Sequence, residues 1–113
     1  MIKLIGYIKR NPSLSPEEFR AYWQNVHVPL IKSKLPGLRH YVGCFPVEAA
    51  DKLTEADAIV ELGFDDVAAM EREMGSDLFN SPERIASSNR LIDPTSIRNV
   101  VVEVVDVTPK AQA

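Results

Sequence analysis

Four stretches of this chain alternate apolar and polar side chains with the period of two that a strand imposes. Three others repeat apolar positions every three or four residues, as helices do. From Ile2 to Arg10, Ile2, Leu4, Gly6 and Ile8 fall on one side and Lys3, Ile5, Tyr7 and Lys9 on the other, until Asn11-Pro12-Ser13 breaks the run. Ser15-Pro16-Glu17-Glu18 then starts a helix. Ser15 caps it, Pro16 takes a first-turn position whose N–H would be unpaired anyway, and Glu18 completes a capping box. Phe19, Trp23, Val26, His27, Leu30 and Ile31 form its apolar stripe. Pro29 cannot donate to the Asn25 carbonyl and disfavours helical geometry at Val28, so the last turn, beside His27, is predicted to be bent or irregular.

Leu35-Pro36-Gly37-Leu38 is a turn, and Leu38 to Phe45 reads as a second strand. Residues 46–55 are a polar connection. In the third strand, Asp57 to Phe64, Ala58, Val60, Leu62 and Phe64 lie opposite Asp57, Ile59 and Glu61. Asp65 is expected to cap a second helix carrying Val67, Met70 and Met74, which ends at Gly75. Ser81-Pro82-Glu83-Arg84 opens a third, and Asp93-Pro94 stops it. The final strand runs from Ile97 to Val107, with Val100, Val102 and Val104 opposite Val101, Glu103 and Val105. The order β-α-β-β-α-(α)-β predicts an α+β fold: one four-stranded antiparallel sheet with helices on one face.

A sheet covered on one face should alternate apolar with polar. Here the outward set, Ile5, Tyr7, Ile59, Val101 and Val105, is apolar as well, too large a patch for the open face of one small sheet. At ~25 cal/mol per Å², burying a few hundred Å² per subunit contributes several kcal/mol to association. A second copy of the sheet is the simplest cover. The segment 46–55 or the C-terminal tail folding over it is the alternative.

Composition narrows the classes. The 113 residues suit one domain, expected over 1–108 with 109–113 as a tail, and 45% hydrophobic with 26% charged residues is ordinary for a globular protein. No apolar stretch approaches the ~18 residues of a membrane span, and the N-terminus lacks a secretory pattern, so a cytoplasmic protein with no membrane partner is expected. One cysteine (Cys44) and two histidines (His27, His40) supply a metal site poorly, and none is expected. A net charge of −3 disfavours nucleic acid. Residues 1–40 hold seven basic and two acidic side chains and residues 41–113 six and fourteen, an imbalance that an interleaved fold disperses. An RNA-recognition module shares this element order but needs basic charge and exposed aromatics on its first and third strands, where the third strand offers Ile59 and Glu61. No nucleophile elbow or glycine-rich phosphate loop appears among five glycines.

Leu14-Ser15-Pro16-Glu17-Glu18-Phe19, Tyr22-Trp23, His27-Val28-Pro29-Leu30 and Leu35-Pro36-Gly37-Leu38 with Tyr41 resemble the EthD family, as do Asp57 to Asp65 and Leu91-Ile92-Asp93-Pro94. The resemblance covers nearly the whole chain. It implies a ferredoxin-like subunit that pairs sheet to sheet as a homodimeric α/β barrel. Roles in the family and its barrel relatives include an accessory in ether degradation beside a cytochrome P450, fungal polyketide tailoring, and cofactor-free cyclases, isomerases and oxygenases. Two departures stand out: family members often have Asp-Gly where this chain has Asp57-Ala58, and an acidic pair where it has Ser88-Asn89.

His27 is the most informative residue. One turn after Trp23 and two after Phe19, it faces the apolar stripe, where an imidazole is readily retuned to act as acid or base. The competing reading is a packed histidine whose ring bonds a backbone carbonyl at the Pro29 irregularity. Trp23 and Phe19 read first as core, with Trp23 also a candidate wall for substrate. Tyr7 and Tyr41 are phenols able to donate to a carbonyl or enolate oxygen, or to pack an interface. Asp57 and Glu61 share a strand face and read either as ion pairs with Lys3, Lys9 or Arg98 or as partners of a histidine. His40 lies opposite Tyr41 and is set aside.

These readings converge on a small cofactor-free enzyme in which His27 moves a proton on a hydrophobic ketone, lactone or polyketide- or aromatic-derived catabolite, as a lyase, decarboxylase or isomerase. Trp23, Tyr7, Tyr41, Asp57 and Glu61 are its candidate substrate-binding residues. The alternatives are a non-catalytic accessory binding a hydrophobic metabolite, and a monooxygenase of the same barrel superfamily.

Overall fold

In the structure, a computed structural model that describes residues 1–47 and 56–111, the chain opens with strand β1 (Ile2–Ile8). Helix α1 (Pro16–Tyr22) follows, then a π-helical turn (Trp23–His27) and helix α2 (Val28–Lys34). Strands β2 (His40–Cys44) and β3 (Ala58–Phe64) come next, then helices α3 (Val67–Met74) and α4 (Pro82–Leu91), a 3-10 turn (Pro94–Ser96) and strand β4 (Arg98–Glu103). The polar connection falls largely outside the described residues.

The capping logic operates at both Ser-Pro-Glu sites. Ser15 Oγ accepts from Glu18 N–H at 3.1 Å while Glu18 Oε1 accepts from Ser15 N–H at 2.9 Å, closing the capping box. Ser81 Oγ accepts from Arg84 N–H at 3.3 Å. At α3 the cap is Asp66, whose carboxylate accepts from Ala69 N–H at 2.7 Å; the expected Asp65 instead pairs with Arg39. Two neighbouring aspartates give the sequence two possible starts, and the register of the turn after β3 selects the second.

The irregularity at Pro29 lies one turn earlier than predicted. Val28 is helical and α2 is regular; the turn before it widens, so that Val28 N–H bonds the Trp23 carbonyl five residues back. A widened turn keeps the helix continuous although Pro29 gives nothing to the Asn25 carbonyl. Val26, expected on the apolar stripe, is thereby carried outward and is 47% exposed, while His27 stays buried.

The sheet order is β2-β3-β1-β4, antiparallel throughout, the ferredoxin-like arrangement. Residues paired across strands share a face. Leu4 pairs with Leu62 and with Val101, which assigns Leu4, Tyr41, Leu62 and Val101 to the helix side. Ile5 pairs with Glu61 and Val100, which assigns Ile5, Val42, Glu61 and Val100 to the open side. The expected faces of the last strand are therefore exchanged: Val100 and Val102, not Val101, join Ile5, Tyr7 and Ile59, and Val105 lies beyond the strand. Three successive valines carry no alternation, so only the pairing with β1 decides their parity.

Two buried clusters hold the helices to the sheet. Ile8, Phe19, Ala58, Leu91 and Ile92 form one, and Ile31, Leu35, Phe64 and Ala69 the other. The Trp23 ring lies over Gly43, edge-on to Tyr41 and Phe45 at centroid distances of 5.7 and 5.4 Å. A Cβ at position 43 would stand 2.8 Å from Trp23 Cζ2. Gly43→Ala is therefore expected to displace the indole, shift its emission, and cost about 1–3 kcal/mol in urea unfolding. Unchanged emission and stability would show that the ring moves freely.

Candidate functional site

Between the two clusters the helices stand off the sheet and leave a cavity of roughly 230 Å³. Its floor is Leu4, Gly6, Val60 and Leu62; its walls include Trp23, His27, Ile31, Tyr41, Met74 and Phe79, with Arg84, Ser88 and Asn99 as polar members. The size lies just under the ~300–1,000 Å³ of typical ligand sites and suits a ligand of one or two rings.

The π turn sets the wall that holds His27. Trp23 and His27 open and close the widened turn, and both side chains line the cavity. His27 Nδ1 lies 2.8 Å from Ser87 Oγ, and Ser87 Oγ lies 3.2 Å from Tyr22 Oη. The ring is thus held by a side-chain hydroxyl from α4, rather than by a backbone carbonyl at the Pro29 irregularity. Among the described residues Nε2 has no hydrogen-bond partner. Burial, and secondly the nearby Arg84 charge, lower the His27 pKa to about 4, so the imidazole is neutral at pH 7. Burial pushes the Tyr41 phenol well above its usual value, which keeps it protonated and able to donate.

Three of the six candidate residues, His27, Trp23 and Tyr41, meet in this cavity. The other three stand apart from it. Tyr7 projects from the open face of the sheet and is 45% exposed. Glu61, on the same face, bonds Lys3 Nζ at 2.7 Å and His40 Nε2 at 2.9 Å, so it is at once an ion pair and a histidine's partner, though the histidine is His40. The Lys3 hydrogen bond, then that of His40, holds the Glu61 carboxyl below its ordinary range. Asp57 accepts from Arg10 N–H at 2.9 Å at the start of β3. Strand alternation separates these side chains from the helix-facing set.

Sequence reasoning passed over Ser87, Arg84, Phe79 and Asn99. A signal existed in α4: Arg84, Ser87, Ser88 and Leu91 follow at helical spacing, so the face carrying the buried Leu91 is otherwise polar, while Ile85 points outward at 42% exposure. Polar residues on a buried helix face mark a site that needs them.

A ferredoxin-like sheet roofed by helices, with a buried neutral histidine and a protonated phenol in one apolar cavity, defines a class of small pocket-bearing α+β proteins. The EthD domain family model matches residues 11–85, and the chain belongs to the EthD family. The structure is similar to an EthD family protein of Bacillus halodurans C-125, at 20% identity and a TM-score of 0.73 over 93% of this chain and 99% of the other. It is similar to SnoaB, a cofactor-independent oxygenase from Streptomyces nogalater, at 10% identity and a TM-score of 0.65 over 96% and 97% of the two chains. A dimeric protein of unknown function and ferredoxin-like fold from Bacteroides fragilis aligns at 16% identity and a TM-score of 0.59 over 91% and 95%. No curated protein matches the chain significantly. Among the described residues no helix is long and apolar enough to cross a membrane.

Proposed function

We propose that this protein is a homodimeric enzyme that needs no cofactor and moves a proton on a small hydrophobic ketone, lactone or aromatic-derived compound, in a lyase, decarboxylase or isomerase reaction. The observation that carries this reading is His27: buried, neutral at pH 7, anchored through Nδ1 by Ser87, and carrying a second ring nitrogen that no described residue engages. Such a group is ready to accept a proton from carbon or oxygen. Tyr41, kept protonated in the same cavity, is the matching donor to a carbonyl or enolate oxygen. Charge developing on that oxygen would raise the proton affinity of His27 during the reaction, offsetting the weak basicity that burial imposes.

The dimer reading rests on the open face of the sheet, where Ile5, Tyr7, Val42, Ile59, Val100 and Val102 surround the Lys3–Glu61–His40 cluster. The cluster bonds within itself, so a second sheet can cover it without leaving those charges unpaired. The dimeric ferredoxin-like neighbour from Bacteroides fragilis supports a dimer.

The test is turnover of a panel of aromatic ketones, lactones and β-keto acids by wild type and His27→Ala. Loss of turnover by about 10²-fold or more, with folding and ligand binding kept, is the expected result. Binding without turnover in the wild type supports an accessory role instead. Oxygen consumption with product formation supports the oxygenase reading, which the likeness to SnoaB favours.

A further inference from the structure

Among the described residues lining the cavity, Arg84 alone carries a charge. Its guanidinium donates from Nε to the Phe79 carbonyl at 2.8 Å, from one terminal nitrogen to Ser88 Oγ at 3.2 Å and from the other to Asn80 Oδ1 at 3.2 Å. All three acceptors are neutral, and a guanidinium has five N–H groups, so two stay unspent. No carboxylate among the described residues lies within ion-pair distance; the adjacent Glu83 is turned to Lys34 at 3.4 Å. The Phe79 ring covers the flat side of the guanidinium, 4.1 Å from centroid to Cζ, which fixes the plane of the donors.

The location sharpens the anomaly. Arg84 lies in the first turn of α4, at the positive end of the helix dipole, where a cation is locally unfavourable and an anion favoured. A half-buried cation beside apolar walls, set against the dipole and lacking an acid, is what an anionic ligand would complete.

We propose that the cavity receives a carboxylate, so that the substrate class is a hydrophobic carboxylic acid of one or two rings whose carboxylate meets the free edge of Arg84 and the Ser88 hydroxyl. This rests on the reading above that the cavity is the ligand site. Ser88 accepts from Arg84 and keeps its own O–H to donate. The bound carboxylate would also offset the Arg84 charge felt by His27, coupling occupancy of the cavity to the basicity of that imidazole.

The test compares benzoate, 3-phenylpropionate and 2-naphthoate with their amides, by calorimetry and by emission of Trp23, the chain's single tryptophan and part of the cavity wall. At least one acid is expected to bind the wild type tenfold or more tightly than its amide. Arg84→Met should bring acid and amide within about twofold, and Arg84→Lys, a point charge without the fork, should keep part of the preference. Should the methionine variant fail to fold, the wild-type and lysine comparisons still decide. Amides binding as well as acids would overturn the carboxylate site and leave the cavity reading standing. No binding by either series would overturn both.

Discussion

Val100→Asp is expected to turn the proposed dimer into a monomer at micromolar concentration. Val100 pairs with Ile5 on the open face and is 46% exposed in the single subunit. Under the proposed sheet-to-sheet arrangement it is buried by the partner, and two-fold symmetry brings in two unpaired carboxylates for each substitution. An uncompensated buried charge costs several kcal/mol, so the dissociation constant should rise by roughly 10³ or more. Ile85→Asp, on the outward side of α4, serves as the control and should remain dimeric. Sedimentation equilibrium separates the cases. A wild type that is monomeric at these concentrations, or a Val100→Asp variant as dimeric as the control, would remove the basis for the dimer.

The second large effect is on stability as a function of pH. The His27 pKa falls from an ordinary 6.5 to about 4 on folding, so between these values the unfolded chain binds more protons than the folded one. Stability from this group is complete above pH 6.5 and is lost as the pH falls toward 4, with no further loss below. At 1.36 kcal/mol per pKa unit the whole contribution is about 3 kcal/mol. His27→Gln keeps a polar partner for Ser87 but does not titrate, so its unfolding free energy should fall less between pH 7 and pH 4 by about that amount. Carboxylates such as Glu18 and Asp93, also held below their usual range, contribute equally to both proteins and cancel in the difference. Parallel urea-unfolding profiles would mean that His27 is solvated in the folded state.

The two predictions join at one architectural feature. The sheet carries large apolar side chains on both sides, one side closed by helices of the same chain and the other proposed to be closed by a copy. The cavity lies wholly on the helix side, so the interface can be weakened without touching His27, Trp23 or Tyr41, and the reverse. Association and ligand binding are therefore expected to separate cleanly by mutation, as sites without shared partners generally do.

Much of this was legible beforehand. The capping box at Ser15, the Ser81 cap, the proline-marked irregularity, the inward face of His27 and the alternation of β1 and β3 all follow from residues within a turn or two of one another. Short-range sterics and hydrogen bonding are written locally in the chain. The EthD resemblance added the fold and the expectation of pairing. Local signals failed where two residues were equally suited, as with Asp65 and Asp66, or where every position was apolar, as from Val100 to Val102.

What only the tertiary structure decided is which distant groups meet. Ser87 stands 60 positions from His27 yet supplies its anchor. Arg84 reaches the cavity because α4 packs against α2 and the π turn that carries His27, and Tyr7, Asp57 and Glu61 are kept out of it by strand parity. The sequence by itself set the elements and the hydrophobicity of each face, because those depend on neighbours along the chain. The site's chemistry depended on register and helix placement, which are settled by the summed packing of the whole domain rather than by neighbours along the chain.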